Sequence, residues 1–150
     1  MKKLVFAVVV ALCGAQTQAQ GISLVECNFD AGPREWVPQV MAFAVQPGTK
    51  SAVVSDPILL HFTNAPAKAR VTSNTSSRTK LRWQVNVADR RGTRTTMVYT
   101  ATYNKARQSM HLRASALGFS ESFAKNGQCR QMPVEQAEAF RRAMESFAQQ

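Results

Sequence analysis

Three consecutive segments of strict period-two alternation constrain this chain more than anything else in it. In residues 79–87, Leu81, Trp83, Val85 and Val87 fall on one side, and Lys80, Arg82, Gln84 and Asn86 on the other. That is the pattern of a half-buried strand. Asp89-Arg90-Arg91-Gly92 is turn chemistry, with Gly92 free to take positive φ. Residues 95–103 then place Met97, Tyr99, Ala101 and Tyr103 on one face, with threonines and Val98 on the other. Asn104-Lys105-Ala106-Arg107 turns the chain again. Met110, Leu112, Ala114 and Ala116 next alternate with Ser109, His111, Arg113 and Ser115. Alternating segments joined by short turns predict an antiparallel meander, one face on a core and one in water.

The N-terminal half reads the same way with less regularity. Val25, Cys27 and Phe29 share a face, as do Val37, Met41, Phe43 and Val45. Pro47-Gly48-Thr49-Lys50 is a hairpin-like turn, followed by short apolar runs at 52–54 and 58–62 and a strand over 69–73. Seven or eight strands result, enough for a small barrel or sandwich, lipocalin-like if the interior is open. After Cys129 the period changes. Pro133 suits a first helical turn, and Ala137, Phe140, Met144 and Phe147 form one apolar stripe. Glu135 and Glu138 sit where the helix dipole favours anions. One amphipathic helix is expected over 133–148, packed on the sheet's outer face or over a barrel mouth. The fold class is therefore mainly β with one C-terminal helix.

The first nineteen residues read as an address rather than as part of the fold. Lys2 and Lys3 precede an unbroken apolar run over 4–12, and Thr17-Gln18-Ala19 offers a signal-peptidase site. Nine apolar residues fall far short of the roughly 20 that span a bilayer as a helix. The expected domains are a signal peptide over 1–19 and one β domain over 20–150, located in the periplasm or secreted from a bacterium. Cys13 leaves with the leader, so Cys27 and Cys129 remain. Two thiols in an exported chain predict one disulfide, and the absence of Cys-x-x-Cys argues against a redox pair.

Charge is the one hint of a partner. Losing Lys2 and Lys3 lowers the formal charge from +10 to +8. Between Lys68 and Arg113 there are eleven Lys and Arg against Asp89 alone, whereas the flanking regions nearly cancel. The anion-binding candidates are Arg82, Arg90, Arg91, Arg94 and Arg113, at turns or on polar strand faces. Such a face attracts anions by its long-range field. The partners expected outside a bacterial cytoplasm are anionic lipid, lipopolysaccharide, cell-wall polymer or an acidic protein. Nucleic acid is not expected, because Trp83, Tyr99 and Tyr103 point to the core and leave the cations without stacking platforms.

Nothing at fixed spacing assembles a nucleophile, base and orienting carboxylate. His61 reads as partly buried and His111 as solvated, and the two make no metal set. No phosphate-binding glycine loop is present, so no catalytic residue or cofactor is assigned. Glu26-Cys27-Asn28-Phe29 near the start and Phe123-Ala124-Lys125-Asn126-Gly127-Gln128-Cys129 near the close resemble small uncharacterised exported proteins of proteobacteria. In those, an early cysteine and a closing Gly-x-Cys bracket the domain. The resemblance implies export and no chemistry. The layout is also similar to periplasmic lysozyme inhibitors, which are disulfide-pinned β barrels, although a cationic face fits poorly against a cationic enzyme. The expected function is a non-catalytic periplasmic or secreted binding module using its basic face. The alternatives are a lipocalin-like carrier of a small apolar ligand and a lysozyme-inhibitor-like protein.

Overall fold

The structure, a computed structural model, describes residues 23–89 and 91–147. The leader and cleavage site expected over 1–19 lie outside the described residues. Eight strands run in chain order: β1 (Leu24–Phe29), β2 (Val40–Val45), β3 (Ser51–Ser55), β4 (Ala67–Asn74), β5 (Arg78–Ala88), β6 (Arg94–Asn104), β7 (Ser109–Ala116) and β8 (Ser122–Gln131). Each pairs antiparallel with its neighbour, and β1 pairs with β8 to close a barrel. Helix α1 (Pro57–Thr63) lies between β3 and β4, and α2 (Val134–Phe147) follows β8.

Closure removes every sheet edge, and the small circumference of eight strands lets side chains fill the interior. Leu81, Trp83, Val85, Met97, Tyr99, Ala101, Met110, Leu112 and Ala114 from the meander join Met41, Phe43, Val54 and Val71 in one buried core. Trp83 and Tyr99 oppose each other across β5 and β6 and stack at 5.2 Å, 8° from parallel. The face that could have lined an open cavity packs on itself. Outward positions on β4 to β7 are polar apart from Ala88 and Val98, the reverse of a barrel whose outer band meets lipid. No helix among the described residues is long and apolar enough to cross a membrane.

The two end segments form the seam of the barrel. On the inner face Cys27 opposes Cys129 and Phe29 opposes Gly127; on the outer face Glu26 opposes Arg130. The Cys129 N–H donates to the Gln108 carbonyl toward β7. Toward β1, Cys129 therefore occupies a non-hydrogen-bonded position, where opposing side chains lie closest. The Cys27–Cys129 disulfide forms there, between residues 102 apart in sequence. A Cβ on Gly127 would come within 2.7 Å of the Asn28 carbonyl oxygen and 2.6 Å of the Phe29 ring, so only glycine fits beneath that ring. Outside, Arg130 donates from Nε and Nη2 to Glu26 Oε1 at 3.0 and 2.8 Å. Cross-link, close approach and ion pair together account for the residues of this seam structurally.

One end of the barrel is plugged. In the 30–39 segment Ala31, Val37 and Pro38 are buried, Val37 ahead of β2 rather than on it, and α1 places Leu59 in the core. The Tyr99 hydroxyl donates to the Trp36 carbonyl at 2.9 Å. The apolar run 58–62, read from sequence as strand-like, is helical, so the protein has two helices and not one. Asp56 caps α1, its Oδ1 accepting from the Ile58 and Leu59 N–H groups at 2.8 and 2.9 Å, and Pro57 supplies the preset φ of a first turn. His61 is exposed on that helix, edge-on to Phe62, rather than partly buried. Helix α2 packs Ala137 and Phe140 on Leu24, Ala42 and Ala44, along the outer face of β1 and β2.

Asp56 gives the first testable result. The residue is 4% exposed, and burial raises its pKa above the ordinary carboxylate value against the opposing pull of its two N–H donors. A raised folded-state pKa means that the fold favours the protonated acid. Its contribution to stability is fullest below the unfolded carboxyl value of about 3.9 and declines as pH rises through the folded value. Asp56→Asn keeps the capping oxygen without the charge. Urea melts should show it equal to wild type near pH 3 and more stable at pH 7. Asp56→Ala should lose about 0.5–2 kcal/mol at pH 7 through the missing cap.

Candidate anion-binding face

Strand β5 alternates without a break, its inward residues buried and its outward ones exposed. Register then fixes which outward side chains meet. Arg70 on β4 lies opposite Arg82 on β5, Arg82 opposite Thr100 on β6, and Thr100 opposite Arg113 on β7. Three arginines thus share one transverse row, with Thr100 the single residue between the second and third. The next row holds Lys80, Thr102 and His111, and the one after it Arg78, Asn104 and Ser109. Lys68, two residues from Arg70 on the same outer face, extends the patch.

Directly opposed side chains on one face lie about 4.5–5.5 Å apart at Cβ, where like charges destabilise. Among the described residues no ion pair offsets the Arg70–Arg82 juxtaposition. Between Lys68 and Arg113, Asp89 is the sole carboxylate. Its Oδ1 accepts from the Arg91 and Thr93 N–H groups, both at 2.8 Å, within its own turn. The two ion pairs seen among the described residues, Glu26–Arg130 and Glu35–Lys125, involve β8 instead. In the second, Glu35 has its pKa lowered first by the Gly32 N–H and then by the Lys125 ammonium. The cations of β4 to β7 are left facing water.

The sequence candidates separate into two groups. Arg82 and Arg113 lie in the transverse row. Arg91 and Arg94 are exposed at the β5–β6 turn, where Arg94 opposes Ala88. Six residues of β5 separate that pair from Arg82, roughly 20 Å at about 3.4 Å per residue. Arg90 lies outside the described residues. Lys105 serves the fold instead, since its Nζ donates to Asn74 Oδ1 and the Thr75 carbonyl at 2.9 and 2.6 Å and ties two turns together. Arg70 is the member that sequence reasoning missed. Its signal was its place between the inward pair Ala69 and Val71.

The interior offers little chemistry. Tyr99 is buried, and burial followed by the Asp56 carboxylate pushes its pKa well above the ordinary phenol value, so it stays a hydrogen-bond donor. Burial likewise raises Tyr103. His111 bonds Asn126 through Nδ1 at 2.8 Å, on the exposed face. Among the described residues, no group of three or more His, Cys, Asp or Glu side chains could hold a metal ion. The barrel end opposite the plug has a recess of about 390 Å³ whose lining includes the core residues Val25, Phe43 and Tyr103 together with Lys105. No protein-family model, curated protein or solved structure matches the chain.

Proposed function

We propose that this is a non-catalytic periplasmic or secreted binding module whose basic face takes an anionic envelope component or an acidic protein. One observation carries the reading: Arg70, Arg82 and Arg113 share an exposed transverse row that, among the described residues, no carboxylate pairs with. Juxtaposed cations that weaken the free protein are offset when an anion binds across them. Arginine suits such a site, because its planar fork engages carboxylate, phosphate or sulfate through paired hydrogen bonds. The packed interior supports an outside surface, rather than the barrel lumen, as the place of binding. A disulfide is compatible with an oxidising compartment.

The test is retention on a sulfated-polysaccharide column. Wild type should bind at low salt and elute near 0.1 M, where the Debye length is about 10 Å and exposed charges are screened. The triple variant Arg70→Gln/Arg82→Gln/Arg113→Gln should pass through unretained. Its melting temperature should equal or exceed that of wild type, since the like-charge pair is relieved. Arg91→Gln/Arg94→Gln should shift elution only slightly. Wild-type retention by the triple variant would show the row to be a solvated surface.

A further inference from the structure

We infer that the basic face docks side-on to an anionic phospholipid bilayer, with Leu117 and Phe119 inserting at its edge. This rests on the reading above and adds one partner and an orientation. Among the described residues the exposed large hydrophobics are Leu60, Leu117, Phe119 and Val134, and two of them share one turn between β7 and β8. Leu117 is 61% and Phe119 68% exposed. Single apolar side chains on a surface are ordinary, but two at the tip of one turn beside a cationic face are a different matter.

The turn is built to present them. Its Phe119 N–H donates to the Ala116 carbonyl at 3.1 Å, and Gly118 takes φ +85°, a conformation that closes the chain tightly. The Leu117 N–H donates to the Thr96 carbonyl at 2.8 Å, which fixes the turn against the start of β6. Arg113, Ser115 and Leu117 follow one another at two-residue spacing from the arginine row to the tip, and Arg94 lies two residues from Thr96. Cations and apolar side chains therefore lie along one edge. Glu121 in the same turn and Asp89 in the neighbouring one are the acids at this edge, the latter held by backbone N–H groups.

Phosphate headgroups offer what the row lacks, and the boundary just beneath them accepts a phenyl ring and an isobutyl group. A soluble polymer would use the cations and leave Leu117 and Phe119 in water, and an acidic protein would need an apolar pocket placed beside its charges to cover them. The combination singles out a lipid surface.

Flotation with phosphatidylglycerol/phosphatidylcholine vesicles separates these cases, using the full mature chain and the variant Leu117→Ser/Phe119→Ser. Both substituted positions are exposed, so far-UV circular dichroism and the melting temperature should match wild type. The variant should bind the vesicles about tenfold more weakly, since partial burial of two apolar side chains is lost. Its elution from the sulfated-polysaccharide column should not change. Phe119→Trp alone should preserve or strengthen vesicle binding. If the double variant floats like wild type, or if neither protein floats while both stay on the column, membrane docking is refuted and the charged face stands as a polymer or protein site. If wild type is retained on neither, both readings fall together.

Discussion

Reduction of the Cys27–Cys129 disulfide should lower stability by about 2–5 kcal/mol and the melting temperature by about 10 °C or more. The bond joins β1 to β8, the pair that closes the barrel, and spans 102 residues of sequence. In the unfolded chain it removes the freedom of almost the whole domain. In the native state it costs little rearrangement, because register already sets the two cysteines opposite each other on the inner face. Urea melts of the oxidised and reduced wild type isolate the cross-link, whereas Cys27→Ala/Cys129→Ala also deletes two buried sulfur atoms. Thiol titration under denaturing, non-reducing conditions should find no free thiol in a chain that begins at Gln20. Equal stability of oxidised and reduced protein would mean that packing around Phe29 and Gly127 closes the seam unaided.

How much of this molecule the sequence reveals depends on how local its signals are. Strands β5, β6 and β7 are legible within a residue of their ends, because each presents an apolar and a polar face and the turns are short. The seam is legible in its residue types and not in its geometry. That Glu26 would meet Arg130, and that Gly127 would lie beneath the Phe29 ring, depends on a pairing that spans nearly the whole domain. Helix α1 is misread because Ile58-Leu59-Leu60-His61-Phe62 has no usable period. The decisive cue was the Asp56-Pro57 cap before it. The cationic patch is legible as a charge count, but its row is a product of register, including the irregularity between Val71 and Ser73 on β4. Arg91 and Arg94 count equally with Arg82 in sequence and lie far from it on the barrel. Leu117 and Phe119 carry no signal at all, since an apolar residue in a turn reads like one in a core.

Trp83→Ala should be the most damaging single substitution, with a loss of about 3–5 kcal/mol. The indole is 3% exposed, fills the barrel between β5 and its neighbours and stacks on Tyr99. Its deletion removes both apolar burial and the stack, in a closed barrel whose radius is set by strand number and stagger and so cannot shrink around the hole. Its Nε1–H is buried and finds no hydrogen-bond partner among the described residues. Trp83→Phe, which keeps an aromatic ring against Tyr99 and discards that unpaired donor, should therefore cost much less than the alanine change. Against a total stability of about 5–15 kcal/mol, the alanine variant would stand near the limit of folding at 25 °C. An apolar cavity of that size should stay dry and accept a flat aromatic molecule. Indole at tenfold excess over its dissociation constant should return about 1.4 kcal/mol by mass action, visible as a rise in melting temperature absent from wild type. The comparison separates a filled barrel from a carrier. If Trp83→Ala costs under about 1 kcal/mol, or if indole stabilises wild type equally, the interior already holds room for a ligand and binding belongs there rather than on the arginine row.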